Sequence, residues 1–145
     1  MTPTELLQTT MPLAVTLGIT ASEASAERVV GHPAWRPELC TAGDMMHGGT
    51  VMALADSVGG ACAYLNLPEG AAGTSTIESK TNFLGAVREG ATVTATATPL
   101  HVGGTTIVVE TELRLDSGKL IAKTTQTQSV LAPPTRHEGS DPSRA

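Results

Sequence analysis

Aromatic side chains are nearly absent from this chain of 145 residues. They make up 2% of the sequence, and the full set is Trp35, Tyr64 and Phe83. Because hydrophobic residues still make up 40%, a core can form, but it must be built from aliphatic side chains and alanine. Such a core is thin in one short domain, so subunit association is expected to supply part of the buried surface.

Basic residues and cysteines are also scarce. Nine Lys and Arg stand against 14 Asp and Glu, and the resulting net charge of −5 argues against binding to nucleic acid. The two cysteines, Cys40 and Cys62, are too few for a disulfide framework. We interpret them as packing residues of a protein in a reducing cytoplasm.

Long apolar runs and metal-binding patterns are missing. No stretch reaches the ~18 apolar residues of a membrane span, and the N-terminus lacks the basic region and apolar run of a signal peptide. The spacing of His32, His101 and His137 relative to Asp, Glu and Cys is not that of metal ligands. The sequence therefore predicts a cytoplasmic protein without a membrane partner, a metal site or a bound cofactor.

The first third of the chain predicts short elements. Residues 4–10 are expected to form a helix with Thr4 as its cap. Residues 13–31 alternate weakly and contain β-branched residues, which favours a strand, a turn near Ser22 and a second strand that ends at Val30. The proline-bearing residues 31–44 predict a loop.

One long helix is predicted over residues 47–65. Apolar residues recur there at helical spacing: Val51, Leu54, Ala55, Val58 and Cys62. Asp56 is the only formally charged residue between positions 50 and 67, so this helix is expected to be buried on most sides.

Four long strands are predicted in the second half, over residues 73–84, 90–100, 104–115 and 119–131. They are separated by Arg88-Glu89-Gly90, Gly103-Gly104 and Asp116-Ser117-Gly118. Such short connections favour antiparallel pairing in sequence order, as a meander. The sheet must curl around the apolar helix, so the predicted fold is α+β, with one domain over residues 1–131 and a polar, disordered tail over residues 132–145.

Asp56 is the first candidate for chemistry. A carboxylate in a helix of small apolar residues is costly unless it is paired or faces water in a site. The structural alternative is a local hydrogen bond to Ser57 or to a backbone group.

The segment His47-Gly48-Gly49 is the second candidate, because it lies where the loop meets the helix. Glycines allow a ligand to approach the backbone closely, and the first amides of a helix have no intrahelical partner. Together with the helix dipole, those amides can stabilise a carbonyl oxygen that develops negative charge. The alternative is a flexible N-cap in which His47 is an ordinary polar residue.

The spacing of the two candidates predicts a dimer. Nine residues separate positions 47 and 56, which on a helix is about 13.5 Å of rise and about 900° of rotation, so the two side chains point in opposite directions. They cannot meet at one substrate atom within one chain. They can meet if two helices lie side by side about a twofold axis, with Gly48 of one subunit facing Asp56 of the other.

Together these segments resemble the hotdog-fold thioesterases. The resemblance covers roughly residues 13–131 and is carried by HGGTVMALADS, TSTIESKTNFLGAVREG and HVGGTTIVVETELRLDSGKLIAKTTQTQSVL. It is most marked for the phenylacetate-degradation thioesterases and the helix-carboxylate type of 4-hydroxybenzoyl-CoA thioesterase. It implies a long antiparallel sheet wrapped around one central helix, in homodimers that often form homotetramers.

The resemblance also implies hydrolysis of acyl-CoA thioesters to a free acid and CoA. Gly48 would donate its N–H to the thioester carbonyl, His47 would shape that site, and Asp56 would act as nucleophile or general base. Thr76 aligns with a hydroxyl that positions the water in some relatives. The alternative for Thr76 is a contact with its sheet neighbour alone.

Three positions depart from the family pattern. Thr41 stands where relatives often carry Gln or Asn, Gly60 where they carry Thr or Ser, and Gly85 where an Arg helps to hold the CoA phosphates. The candidates to replace that Arg are Arg88, Thr105 and Thr106, for which a solvated turn and the start of a strand are the alternatives.

The acyl group is expected to enter a slot between the two central helices. The residues predicted to line it are small: Ala53, Ser57, Gly60 and Ala61. Gly49, at the helix start, is predicted to contact the substrate or CoA. Small residues favour a roomy slot for an aryl or medium-chain acyl group. Three alternatives stay open: a hotdog protein that binds acyl-CoA without hydrolysis, a hotdog hydratase or dehydratase, and a purely structural oligomer module.

Overall fold

The computed structural model describes residues 1–134. Helices α1 (Pro3–Thr10) and α2 (Pro12–Leu17) precede strands β1 (Thr20–Ala24) and β2 (Val29–His32). A short ladder of β3 (Cys40–Thr41) and β4 (Met45–Met46) then leads to helix α3 (Gly48–Leu65). Four long strands follow: β5 (Gly73–Phe83), β6 (Val93–Val102), β7 (Thr106–Leu115) and β8 (Leu120–Leu131).

The long helix α3 is confirmed. Its N-cap is His47, whose extended backbone (φ −60°, ψ 136°) ends the loop and whose side chain accepts a hydrogen bond from the Gly49 N–H. Most of its apolar residues are buried, as a helix with one charge in its centre predicts. The four long strands are confirmed as well, with end positions that differ from the prediction by up to three residues, as at Val93.

The prediction of a strand from residue 13 is wrong. Residues 13–17 belong to α2, because Pro12 occupies the first position of that helix and Gly18 ends it in the left-handed conformation (φ 67°). The first strand therefore begins at Thr20, and the chain reverses after it, where the Ser25 N–H donates to the Arg28 carbonyl, rather than near Ser22.

Two smaller predictions in this region also need correction. The cap of α1 is Thr2 rather than Thr4: the Thr2 hydroxyl accepts from the Glu5 N–H, and the Glu5 carboxylate accepts from the Thr2 N–H. Residues 31–44 are not one loop, because they include the end of β2, two 3₁₀ turns and β3.

The strand order in the sheet is β1-β2-β6-β7-β8-β5, and all neighbours are antiparallel. The predicted meander is correct for β6, β7 and β8, but β5 pairs with β8 instead of β6. The segment Arg88-Glu89-Gly90 therefore lies in a crossing connection and not in a hairpin. Gly90 does form a local turn (φ 79°), but turn residues do not decide which strands pair across the sheet.

The core lies between α3 and the inner face of the sheet. Alternate residues of β6 and β7 point inward, and nearly all are aliphatic or alanine: Val93, Ala95, Ala97, Ile107, Val109 and Leu113. Small residues bring the layers close together; a Cβ added at Gly31 of β2 would lie 2.4 Å from Val58 Cγ1 of α3. The sheet thus wraps one central helix, which is the predicted α+β hotdog fold.

Beyond β8 the structure describes three more residues. Residues 132–134 are exposed and irregular, and residues 135–145 of the predicted tail lie outside the described residues. Within the described range, none of the helices is long and apolar enough to cross a membrane.

Candidate active site

Asp56 lies on α3 with its side chain exposed, although both of its sequence neighbours are buried. It lines a cavity of about 400 Å³, whose walls come from α1, α3, β5 and β8. The local alternative predicted for it does not occur, because the Ser57 hydroxyl donates to the Ala53 carbonyl oxygen at 2.7 Å. The carboxylate instead turns towards the sheet and the cavity.

Neutral groups from the sheet hold the Asp56 carboxylate. The Gln126 amide donates from Nε2 to Asp56 Oδ1 at 3.0 Å, and the Thr76 hydroxyl donates to the same oxygen at 3.5 Å. Thr76 in turn accepts a hydrogen bond from Gln128 Nε2 at 2.6 Å. None of the ion pairs formed within residues 1–134 includes Asp56, so its negative charge is not neutralised by a basic side chain there.

In the first turn of α3, the Gly48 N–H is the backbone donor without a hydrogen-bond partner among residues 1–134. The Gly49 N–H donates to His47 Nδ1 at 2.7 Å, and the N–H groups of Thr50 and Val51 donate to the His47 carbonyl at 2.9 and 3.2 Å. The Gly48 N–H donates to no group in the described part of the chain. It lies at the positive end of the helix dipole, where a partial negative charge is stabilised.

Gly48 lines a second cavity, of about 340 Å³. Thr41 and Gly85, two of the positions that depart from the family pattern, line the same cavity. Arg88 forms an isolated bridge with Met45, which is another lining residue, so the exposed Arg88 lies beside this cavity. The two cavities share no lining residue, and within one chain Gly48 and Asp56 therefore belong to different surfaces.

The remaining predicted binding residues are spread over the molecule. Gly60 lines the Asp56 cavity, whereas Ser57 is buried and does not line it. Thr105 lines a third cavity, of about 370 Å³, and Thr106 begins β7. The roles predicted for these residues stay predictions.

Neither cysteine is placed for nucleophilic chemistry. Burial raises the pKa of the Cys62 thiol to about 11, and desolvation, followed by the charge of Asp44, raises the pKa of Cys40. Across residues 1–134, no three His, Cys, Asp or Glu side chains are grouped as metal ligands would be.

Gln126 and Gln128 are the contacts that the sequence analysis missed. Both lie on β8, in the segment KTTQTQS, which was predicted only as part of a strand over residues 119–131. The alternation of this segment places Thr124, Gln126 and Gln128 on one face, and in the structure that face is buried. Alternation alone defines two faces without showing which one is inside.

Comparison with known proteins points to one family. A family model described as the thioesterase superfamily matches residues 43–122, which include both candidate groups of α3. A protein of Vibrio cholerae, whose name gives esterase as a provisional activity, is 35% identical over 86 residues. That match spans 59% of this chain and only 56% of the Vibrio protein.

Solved structures agree with this result. A thioesterase of Haemophilus influenzae superposes with a TM-score of 0.83 at 27% identity, covering 95% of this chain and 96% of that one. The PaaI protein from the phenylacetic acid degradation operon of E. coli gives a TM-score of 0.78 at 21% identity, covering 88% and 90%, and shows the shared fold.

Proposed function

Because the chain belongs to the thioesterase superfamily, we propose that it hydrolyses acyl-CoA thioesters to a free acid and CoA. The observation that carries this proposal is Asp56, an exposed carboxylate on a mostly buried and otherwise uncharged helix, beside a cavity and without a basic partner among residues 1–134. A carboxylate that lines a largely apolar cavity and is held by neutral hydrogen-bond donors is a candidate catalytic group.

The reaction needs two groups that this chain carries on α3. The Gly48 amide, from the opposite subunit, donates to the thioester carbonyl oxygen and stabilises the negative charge of the tetrahedral intermediate. Asp56 either attacks the carbonyl carbon, forming an anhydride that water then opens, or removes a proton from the attacking water. In both routes the C–S bond breaks, the CoA thiolate leaves with its electron pair, and a proton from water completes the thiol.

The free edge of the sheet supports the composite site. Strand β5 ends the sheet order, so within the described chain only β8 pairs with it. It exposes Ile77 (65%) and Phe83 (51%), and the adjacent face of α3 exposes Met52. A long unpaired edge with apolar side chains favours association. The proposed occupant is a second copy of this chain, which brings the partner's helix beside α3; a homotetramer of such dimers stays a prediction.

The cavity beside Asp56 fits the proposed acyl group. Its volume of about 400 Å³ is within the range of small-molecule pockets, and Leu6, Met11, Ala61 and Tyr64 contribute apolar or aromatic surface. An aryl or medium-chain acyl group suits such walls. The positively charged Arg88, next to the Gly48 cavity, is better placed for the CoA phosphates than Thr105, which lines a separate cavity.

The test is a thiol-release screen over aryl, short, medium and long acyl-CoAs. Asp56→Asn should lower kcat at least ~10²-fold, the typical loss when a preorganised stabilising group is removed from such a site. Asp116→Asn, an exposed carboxylate in the β7–β8 turn, is the matched control and should retain turnover.

Three outcomes would contradict the proposal. Turnover by Asp56→Asn close to that of the wild type would remove Asp56 from the mechanism. Tight acyl-CoA binding without thiol release would identify a binding protein. If an enoyl-CoA loses its enoyl absorbance while its thioester stays intact, the protein is a hydratase.

A further inference from the structure

Two glutamine side chains are buried beneath helix α3. Gln126 is 0% exposed and Gln128 is 2% exposed, and both point inward from β8. On the neighbouring strand β7, the residues paired with Gln126 and Gln128 are Val109 and Ile107, both fully buried and apolar. A primary amide in such a place is costly unless its hydrogen bonds are made, so the two glutamines need an explanation that packing does not supply.

Among the described residues, the Gln126 side chain makes one hydrogen bond, to Asp56. Because a carboxylate only accepts hydrogen bonds, the amide must present its NH₂ group to Asp56 Oδ1, where the distance is 3.0 Å. The Gln126 Oε1 atom is buried and has no hydrogen-bond partner among the described residues. A glutamine retained for the stability of the core would satisfy both ends; this one satisfies the carboxylate and leaves its carbonyl unpaired.

Gly59 of α3 leaves the space that the Gln126 amide occupies. A Cβ added at Gly59 would lie 1.9 Å from Gln126 Oε1 and 2.8 Å from its Cδ, so any larger residue would displace the side chain. Glycine in the middle of a helix lowers its stability relative to alanine. The close approach of α3 to Gln126 thus comes at a cost to the helix, which is consistent with a requirement for the amide.

Gln128 acts on Thr76 in the same way. Its Nε2 donates to Thr76 Oγ1 at 2.6 Å, which leaves the proton of the Thr76 hydroxyl to be directed at Asp56 Oδ1, 3.5 Å away. Gln126 directly and Gln128 through Thr76 therefore both hold the same carboxylate oxygen, Asp56 Oδ1. The other oxygen, Oδ2, accepts no hydrogen bond from residues 1–134.

We propose that Gln126 and Gln128 are positioning residues that fix Asp56 through Oδ1, directly and by way of Thr76, so that Oδ2 is the oxygen that reacts with the thioester or the water. This inference rests on the proposed thioesterase function. A carboxylate with one oxygen held has fewer orientations, and its remaining oxygen keeps the alignment that the reaction needs.

The test compares Gln126→Met, which keeps the length of the side chain and removes the donor, with Thr124→Val. Thr124 is the matched control, because it is a buried polar residue on the same face of β8 and its hydroxyl bonds Thr81 at 2.7 Å, away from Asp56. For Gln126→Met, kcat should fall by about 10- to 100-fold while KM stays within about threefold. Thr124→Val should keep kcat within about twofold.

A double-mutant cycle separates positioning from folding. In an Asp56→Asn background, Gln126→Met should change the residual kcat by less than about twofold, because the group that it positions is already gone. If Gln126→Met does not yield folded protein, Gln128→Met carries the test, with Thr76→Val as the background in which its effect should vanish.

The outcomes distinguish this inference from the proposed function. If the wild type releases no thiol from any acyl-CoA, the thioesterase proposal fails. If the wild type is active and Asp56→Asn is not, but Gln126→Met retains wild-type kcat or loses the same factor in both backgrounds, the positioning role alone is overturned.

Discussion

Removal of the Gly48 N–H tests the composite site most directly. Gly48 is the first residue of α3, a position where proline is well tolerated, and His47 before it already has the extended backbone that proline requires (φ −60°, ψ 136°). Because the Gly48 N–H donates to nothing in the described chain, Gly48→Pro removes only the donor proposed for the substrate. The loss of one oxyanion donor typically costs ~10²–10³ in kcat, or about 2.7–4 kcal/mol.

Gly48→Ala is the control for the added Cβ. A Cβ at this position lies 3.3 Å from the Phe83 ring in either variant, so this close contact is common to both. Only the proline variant lacks the N–H. Gly48→Ala should therefore retain most of its turnover, and thermal melts of both variants would report any common loss of stability.

Heterodimers decide whether the two groups come from different subunits. A Gly48→Pro subunit and an Asp56→Asn subunit, carrying different tags and purified together, form a dimer in which one site has both wild-type groups and the other has neither. Since one site of two is intact, about half of the wild-type activity should return although each homodimer is nearly inactive. Thiol release by the doubly purified dimer measures this directly.

A heterodimer without activity would refute the composite site. The supporting control is the dimer of one Asp56→Asn subunit with one wild-type subunit, which should also retain about half of the activity. If that control is active and the complementing pair is not, Gly48 and Asp56 act within the same chain.

Two further predictions concern the subunit interface and the thiols. Ile77→Lys should yield monomers with little turnover, whereas Val15→Lys, at a side chain 57% exposed on α2, should stay dimeric by light scattering; a fully active Ile77→Lys monomer would contradict this. Because burial raises the pKa of Cys62 to about 11, the reactive thiolate is scarce at neutral pH and increases only as the pH approaches that value. Iodoacetamide at about pH 8 should leave Cys62 unmodified by mass spectrometry and turnover unchanged, and activity lost in step with its alkylation would implicate the thiol.

The central helix and its two candidate groups follow from local features of the sequence. The spacing of the apolar residues sets the helix, His47 and the glycines set its start, and the cost of an isolated charge singles out Asp56. Even the separation of Gly48 and Asp56 to different surfaces follows from helix geometry. These features depend on residues within a few turns of one another, so no knowledge of the remaining chain is needed.

The pairing of β5 with β8 and the burial of Gln126 depend on the whole fold. Strand alternation defines two faces and a turn defines a reversal, but the inner face and the neighbouring strand are chosen by which arrangement buries the most apolar surface against α3. Residues 13–17 show the same limit, since they were predicted as part of a strand and are helical between Pro12 and Gly18. The sequence alone was enough to single out the carboxylate, whereas the amide that holds it, 70 residues further along the chain, was brought to it only by tertiary structure.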